Sequence, residues 1–323
     1  MGQLLVIGCI NWDINLFLTR FSQVGEEVPV NKITRVPGGT AANVAVAASR
    51  LMEKHEVTLI GGVGGDEVGK TQLSILEAEG INISGIQVFP DQESGQAYIL
   101  IDQNGQNSIH TYFGANRCIS PQLIQDPSLK NLIRAAEVIV IMDPPIDTAL
   151  KVAELGHAND SLVIWDPGVY YELGIRALSP ILTFTEYFIL NRVEYTTLLE
   201  TKDPKCMGQK LTAVNSDIIA IVKQGAKGCT LIKNQGESVR TIPSVTLQDI
   251  GMKVVNTVGC GDAFIGAFAA AKVNRCSDEE ALIQANYAGA YKATQEETRG
   301  SPTHIELMNF ITKTRKSREK HVS

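Results

Sequence analysis

The sequence predicts an α/β fold: a doubly wound, mostly parallel sheet covered by helices on both faces, with a small second sheet beside it. Three observations carry this. Runs that are apolar throughout, at 4–7, 57–60, 138–142, 162–165, 187–190, 218–222 and 230–232, read as strands buried on both faces. Stretches of helical periodicity separate them, at 41–51, 68–79, 148–157, 193–200, 261–272, 278–294 and 305–314. Two segments, 15–36 and 94–114, break the rhythm with polar alternation, which does not suit a sheet covered on both sides.

The first strand begins almost at Met1, with no basic leader and no long apolar stretch, so neither a signal peptide nor a membrane span is expected. Residues 16–18 and 27–35 read as strands of the small sheet. In the other odd segment, 97–102 and 107–113 read as a hairpin turning at Asn104-Gly105. Alternation puts Tyr98 and Leu100 on one face, and Ala97, Ile99 and Ile101 on the other. With 323 residues, one large domain is the natural organisation. The small sheet then projects from 13–37 and 94–115 at the carboxyl edge of the main sheet, where ligands bind in such folds.

Composition narrows the function. Apolar residues make up 44%, as in an ordinary globule, and 29 basic against 35 acidic residues leave a net charge of −6. Broad binding to nucleic acid or an anionic membrane is therefore not expected. The one dense basic run, 313–320, reads as a solvated helix end. Six cysteines, at 9, 118, 206, 229, 260 and 276, contain no Cys-x-x-Cys pair. That pattern fits reduced thiols in the cytoplasm better than a disulfide frame or a zinc site.

The stretch 256–271 is the most informative. Val254 and Val255 read as the end of an extended run. Gly259-Cys260-Gly261 make a turn, and Asp262 opens a helix of small apolar residues. Backbone N–H groups and the positive helix end then converge on one point, which suits an anion. A carboxylate beside that point can take a proton from a hydroxyl while the amides hold the phosphoryl group it attacks. On local grounds alone, Gly-Asp is also an ordinary helix start.

Other candidates lie at strand ends. Gly38-Gly39 before Asn43 would admit a ligand close to the backbone, or would start a helix whose alanines pack. Asp13 and Asp143 each follow an apolar strand and can grip vicinal hydroxyls, or be turn residues. Asn191-x-x-Glu194 is close to a capping box. Gly225 and Gly228 punctuate a strand-to-strand link that begins at Lys223. A competing signal is Gly64-Gly-Asp-Glu-Val-Gly-Lys70-Thr71, which satisfies the P-loop pattern, while Asp143 ends a strand as a second phosphate-site carboxylate would. Asp66 and Glu67 count against it, since two carboxylates inside the loop would repel phosphates.

From residue 4 to about 302, these motifs and their order resemble the ribokinase-like (PfkB) carbohydrate kinases. The resemblance implies a ribokinase-like three-layer α/β/α fold in which the small sheet is a lid over the sugar. It implies a phosphotransferase with an alcohol acceptor, moving the terminal phosphoryl group of ATP, or ADP, to a primary hydroxyl of a sugar. Asp262 would be the base, with the amides of Gly259, Cys260 and Gly261 as the anion hole. Asp13, Gly38, Gly39, Asn43 and Asp143 would hold the acceptor. Lys223, Gly225, Gly228 and Asn286, the last within the segment 286–301, would line the nucleotide. Asn191 and Glu194 would organise Mg²⁺ through water.

The sequence departs from the family text at four places. Asn256 stands for the usual Asp, which bears on any monovalent cation; Cys260 stands for Ala, Thr40 for the Lys of ribokinases, and Lys223 for Thr. Two alternatives accompany the sugar kinase. One is a nucleoside or ribose-1-phosphate kinase, with Arg117 and Arg192 available to an acceptor phosphate. The other is a non-catalytic sugar-binding protein, against which the retained Asp262 argues. Pairing through the lid into a homodimer is expected, as often in this family.

Overall fold

The computed structural model describes residues 3–52 and 56–322, with side chains as far as residue 316. Strand β1 (Gln3–Gly8) leads into a hairpin of β2 (Asn11–Leu18) and β3 (Val30–Gly38), followed by α1 (Thr40–Ser49) and β4 (Glu56–Gly64). Helix α2 (Glu67–Ala78) and β5 (Asn82–Phe89) precede a second hairpin, β6 (Gly95–Ile101) and β7 (Asn107–Tyr112). The middle of the chain holds α3 (Pro121–Ile124), α4 (Pro127–Ala135), β8 (Val138–Met142), α5 (Ile146–His157), β9 (Leu162–Asp166) and α6 (Ile175–Leu182). Next come β10 (Tyr187–Asn191), α7 (Arg192–Leu199), α8 (Pro204–Thr212), β11 (Ile219–Lys223), β12 (Cys229–Lys233) and β13 (Ser238–Ile242). Helices α9 (Cys260–Val273), α10 (Asp278–Lys292) and α11 (His304–Val322) finish the fold, and α11 carries the basic run.

The main sheet has the order β13-β12-β11-β10-β9-β8-β1-β4-β5. It is parallel except at one edge, where β12 runs antiparallel to both β11 and β13. Each central strand feeds two cores. In β1, Leu4 and Val6 pack on the face covered by α1, α9 and α10, while Leu5 and Ile7 pack on the face covered by α4 to α8. This is why the strands read as apolar throughout. From β1 the chain builds outward to β4 and β5 on one side and to β8 and beyond on the other. The crevice beyond the ends of β1 and β8 is therefore the topological switch point. Gly8 makes that closure possible: a Cβ there would lie 1.6 Å from Met142 O.

The second sheet is the expected one, ordered β3-β2-β6-β7, with β2 and β6 parallel and both hairpins antiparallel. Its second turn centres on Asp102, whose carboxylate accepts from Asn104 N and Gln106 N at 2.9 Å, with Gly105 at φ 76°. Ala97 and Ile99 are buried and Tyr98 is exposed, as alternation predicts. Asp13 pairs in register with Ala97 and so lies on the same, covered face.

Some expectations change. Residues 252–256 form no strand, and Val254 and Val255 are each 54% exposed: Val255 N and Asn256 N both donate to Ala293 O, past the end of α10, and not to another strand. Helix α9 begins at Cys260, two residues before Asp262, because Gly259 adopts the left-handed cap conformation with φ 83°. The sequence does not announce strands β5 and β13 or helices α3, α4, α6 and α8: the strands are half-exposed edges, and the helices are only 4 to 9 residues long.

Candidate active site

The site is assembled at the N-terminus of α9. No side chain caps this helix, so its first amides keep their donors for something else. Gly259 is required here: a Cβ would sit 2.4 Å from Thr298 O. The Cys260 amide is already used, donating to Thr257 O at 3.2 Å. Of the amides expected to form the anion hole, that of Cys260 therefore has an internal acceptor, and the next two along the helix, Gly261 and Asp262, lie in its uncapped first turn.

Asp262 follows in the first turn of α9. Its Oδ2 accepts a hydrogen bond from Asn43 Nδ2 at 2.8 Å. Asn43 is fixed in turn by Arg299, whose Nε donates to Asn43 Oδ1 at 3.0 Å and whose Nη2 donates to Gly38 O at 2.6 Å. Gly39 at φ 94° starts α1 and brings Asn43 to this place. Burial pushes the Asp262 carboxyl up to about 6, opposed by the Asn43 hydrogen bond and the Lys223 charge. A carboxylate just below neutrality is ionised at working pH yet basic enough to accept a proton.

Asp13 and Asp143 converge on the same crevice. Asp13 is buried, and a Cβ on Gly38 would lie 2.0 Å from its Oδ1, so Gly38 makes room for the carboxylate. Burial raises Asp13 to about 7, with the Arg299 charge opposing and Asp262 adding. Asp143 is held at φ 56°, a left-handed conformation of the kind that concentrates at functional sites. Thr40 Oγ1 donates to its Oδ2 at 3.1 Å and Val169 N donates to its Oδ1 at 3.3 Å. Burial, then Asp166, raises it to about 7. Two carboxyls that titrate near neutrality can both accept from and donate to hydroxyl groups.

An open cleft is lined by Asn191, Arg192, Val193, Lys223, Gln224, Gly225 and Lys227, and of these the Lys223 charge acts on Asp262. Lys223 ends β11, and its Nζ lies 2.7 Å from Asp166 Oδ2 at the end of β9. A Cβ on Gly261 would meet that ammonium at 3.5 Å, so Lys223 stands beside the anion turn. A Cβ on Gly225 would meet open space, whereas a Cβ on Gly228 would strike Ile242 O at 2.1 Å. Gly228 therefore serves chain packing. Asn286 is also internal, and its Nδ2 donates to Ile242 O at 3.0 Å.

Asn191 and Glu194 form a complete capping box at the start of α7. Asn191 Oδ1 accepts from Val193 N and Glu194 N, and Glu194 Oε2 accepts from Asn191 N at 2.8 Å. Burial, then Asp166, raises the Glu194 carboxyl. Among the described residues, no three His, Cys, Asp or Glu side chains converge to hold a metal ion. What the site offers is the Glu194 and Asp166 carboxylates near the cleft, a donor set that fits a hard cation retaining its waters and bound mainly by phosphates.

The P-loop reading fails on geometry. Asp66 caps α2, accepting from Gly69 N at 2.8 Å and from the amide and hydroxyl of Ser94 at 2.8 and 2.6 Å. Its carboxylate fills the place a phosphate would need. Lys70 is exposed and pairs with Glu67 at 2.6 Å.

This constellation has known relatives. The model of the pfkB family carbohydrate kinases matches residues 1–305. The chain belongs to that family. It is a carbohydrate kinase, a phosphotransferase with an alcohol group as acceptor. A similar protein is the ATP-dependent ribose-1-phosphate kinase of Halopiger xanaduensis, 28% identical over 96% of this chain and 98% of the other. The ribokinase of Haemophilus influenzae is 27% identical over 95% and 98%. Among solved structures, a ribokinase from Thermotoga maritima superposes with a TM-score of 0.83 at 25% identity, covering 97% of this chain and 100% of that one. The expected ribokinase-like architecture and family are thus both present.

Three contributors were not foreseen in these roles. Asp166 ends an apolar parallel strand, as Asp143 does, and that position was the available signal. The ion-pairing role of Lys223 and the role of Arg299 depend on contacts between distant segments, and no local spacing announces them.

Proposed function

We propose that this kinase transfers the terminal phosphoryl group of ATP to a primary hydroxyl of a sugar. The observation that carries this is the Asp262 carboxylate, held by Asn43 at 2.8 Å, in the same helical turn as two uncapped amides. Asp262 takes the hydroxyl proton. The Gly261 and Asp262 amides receive the phosphoryl oxygens, and Lys223 adds positive charge beside them. Asp13 and Asp143 hold hydroxyls of the acceptor, and Gly38, Gly39 and Asn43 shape that pocket. The nucleotide lies along Gly225 and Lys227. Mg²⁺ enters with the nucleotide and neutralises its phosphates, and Glu194 and Asp166 face its water shell. Ala97 and Ile99 of the lid exclude water from the crevice, which keeps the phosphoryl group from hydrolysis.

A second reading has support of its own. Arg117 lies over the Phe113 ring at 5.0 Å, at the base of the lid, and its charge acts on Tyr170, as does that of Asp143. A cation there suits an acceptor that already carries a phosphate, and the similar Halopiger enzyme is named for ribose 1-phosphate. A screen with ATP and ADP as donors, against pentoses, hexoses, nucleosides and ribose 1-phosphate, decides between the readings. Product mass identifies the acceptor, and no turnover with any of them would contradict both.

The outer lid face is apolar in part. Ile33 and Tyr98 are exposed there, and Leu16 and Leu100 pair beside them. A homodimer through this face is the assembly we propose, and a monomer in sedimentation would contradict it. All six cysteines are free thiols, which supports a reducing, cytoplasmic setting. No helix among the described residues is long and apolar enough to cross a membrane.

A further inference from the structure

Lys292 ends α10 and is wholly buried. Buried ammonium groups are ordinarily matched by a carboxylate, because burial penalises an uncompensated charge. Lys292 forms no ion pair among the described residues. Its Nζ donates to Asn256 O at 3.1 Å and Gln295 O at 3.5 Å, both main-chain carbonyls. A cation held by main-chain carbonyls is in surroundings that suit K⁺ as well as an ammonium.

The place is as telling as the ligands. Asn256 begins the segment that turns into α9, and that segment is tied to the end of α10 throughout. Val255 N and Asn256 N donate to Ala293 O at 2.7 and 3.2 Å, and Asn256 Nδ2 donates to Glu296 O at 2.7 Å. Asn256 Oδ1 accepts from Val258 N at 2.9 Å, and Gly259 is pressed against Thr298 O. Lys292 sits in the seam that shapes the anion turn. The titratable groups that its charge acts on are Cys260 and Asp262, both in the first turn of α9.

We propose that Lys292 is a built-in monovalent cation: its ammonium fixes the carbonyl groups behind the anion turn and supplies positive charge there, so that this kinase needs no added K⁺ or Na⁺. Asn256 fits that arrangement. With the ammonium already in place, a carboxylate at 256 is not needed to recruit an ion, and the amide instead spends both its ends on the main chain. Lys292 touches no reacting atom in this scheme and is a positioning residue. The inference rests on the kinase reading for its activity arm, and on the seam alone for its stability arm.

The test compares wild type, Lys292→Ala and Lys292→Met in choline, sodium, potassium and ammonium chloride at equal ionic strength. Wild-type turnover is expected to be the same in all four salts. Lys292→Ala opens a carbonyl-lined space and should lose about a hundredfold in kcat in choline, a loss comparable to removing an oxyanion donor. Potassium or ammonium should restore much of it. Lys292→Met fills the space without charge and should stay slow in every salt. Melting needs no acceptor: K⁺ should raise the Tm of Lys292→Ala above its value in choline and leave wild type unmoved. Wild-type turnover that requires K⁺, or a folded Lys292→Met variant as active as wild type, would overturn the proposal. So would a Lys292→Ala variant whose Tm ignores K⁺. If wild type phosphorylates nothing in the acceptor screen, the kinase reading fails while the melting arm still decides this one. If Lys292→Ala does not fold in choline, folding regained in K⁺ supports the proposal and no folding in any salt contradicts it.

Discussion

Helices α2 and α9 start from similar text, Gly64-Gly-Asp66 running to Lys70-Thr71 and Gly259-Cys260-Gly261-Asp262, and differ in what meets their first amides. At α2 the acceptor is built in: Asp66 takes the Gly69 amide and both donors of Ser94, and Lys70 turns outward to Glu67. At α9 the carboxylate points elsewhere. Asp262 is drawn to Asn43, no side chain caps the turn, and Lys223 and Lys292 stand near it. A phosphate arriving at α2 would have to displace a carboxylate, whereas one arriving at α9 meets donors and positive charge. The lesson concerns glycine-rich helix starts in general. Spacing shows that a backbone can approach an anion; the partner of the capping side chain shows whether the place is already taken.

The largest effect that would sharpen this contrast is at Asp262. Asp262→Asn is expected to lower kcat by about a hundredfold or more, because the proton loses its acceptor in the transition state. ADP affinity by calorimetry should stay close to that of wild type. Turnover within a few-fold of wild type would remove the base from α9. Next in size is Asp13→Ala. Loss of a charge-assisted hydrogen bond to a hydroxyl of about 1.5–3 kcal/mol should raise acceptor KM about 10- to 150-fold. Nucleotide affinity should hold. An equal loss for both ligands would mean that Asp13 supports the fold instead.

The pH profile gives a smaller, directional effect. The Asp262 carboxyl is raised to about 6, and only its ionised form can accept the proton. Activity is therefore fully present above that value and lost as pH falls through it. A kcat/KM profile that stays flat down to pH 4 would contradict the assignment. Smallest of all should be Lys70→Ala, with kcat and nucleotide affinity within about twofold of wild type, as for a surface ion pair. Asp66→Ala should lower Tm by removing a helix cap, at a cost of about 1 kcal/mol, without selective loss of nucleotide binding.

Much of this could be read in the chain, and what could not has physical reasons. Strands β1, β8 and β10 are buried on both faces, so their text is continuous and unmistakable. The lid hairpins declare themselves by alternation and by Asn104-Gly105. Helices α4 and α8 are short, and their Asp-Pro starts, Asp126-Pro127 and Asp203-Pro204, were the signal available. The family resemblance places Asn286 at the nucleotide, and the bond from its Nδ2 to Ile242 O is a long-range contact that no local pattern announces. The Asn191 and Glu194 pattern was ambiguous, and the structure fills its local reading, the capping box, completely. Lys223, Arg299 and Lys292 act across 36 to 256 residues of chain, where no periodicity reaches.

Hydrogen exchange read by mass spectrometry, with and without saturating ADP and Mg²⁺, tests the contrast between the two helix starts most directly. On this account the amides of 257–263 and of the Lys223–Gly228 link become protected when nucleotide binds, while 64–71 exchange as before. Protection confined to 64–71, with the α9 turn unchanged, would place the phosphates at α2 and contradict the account.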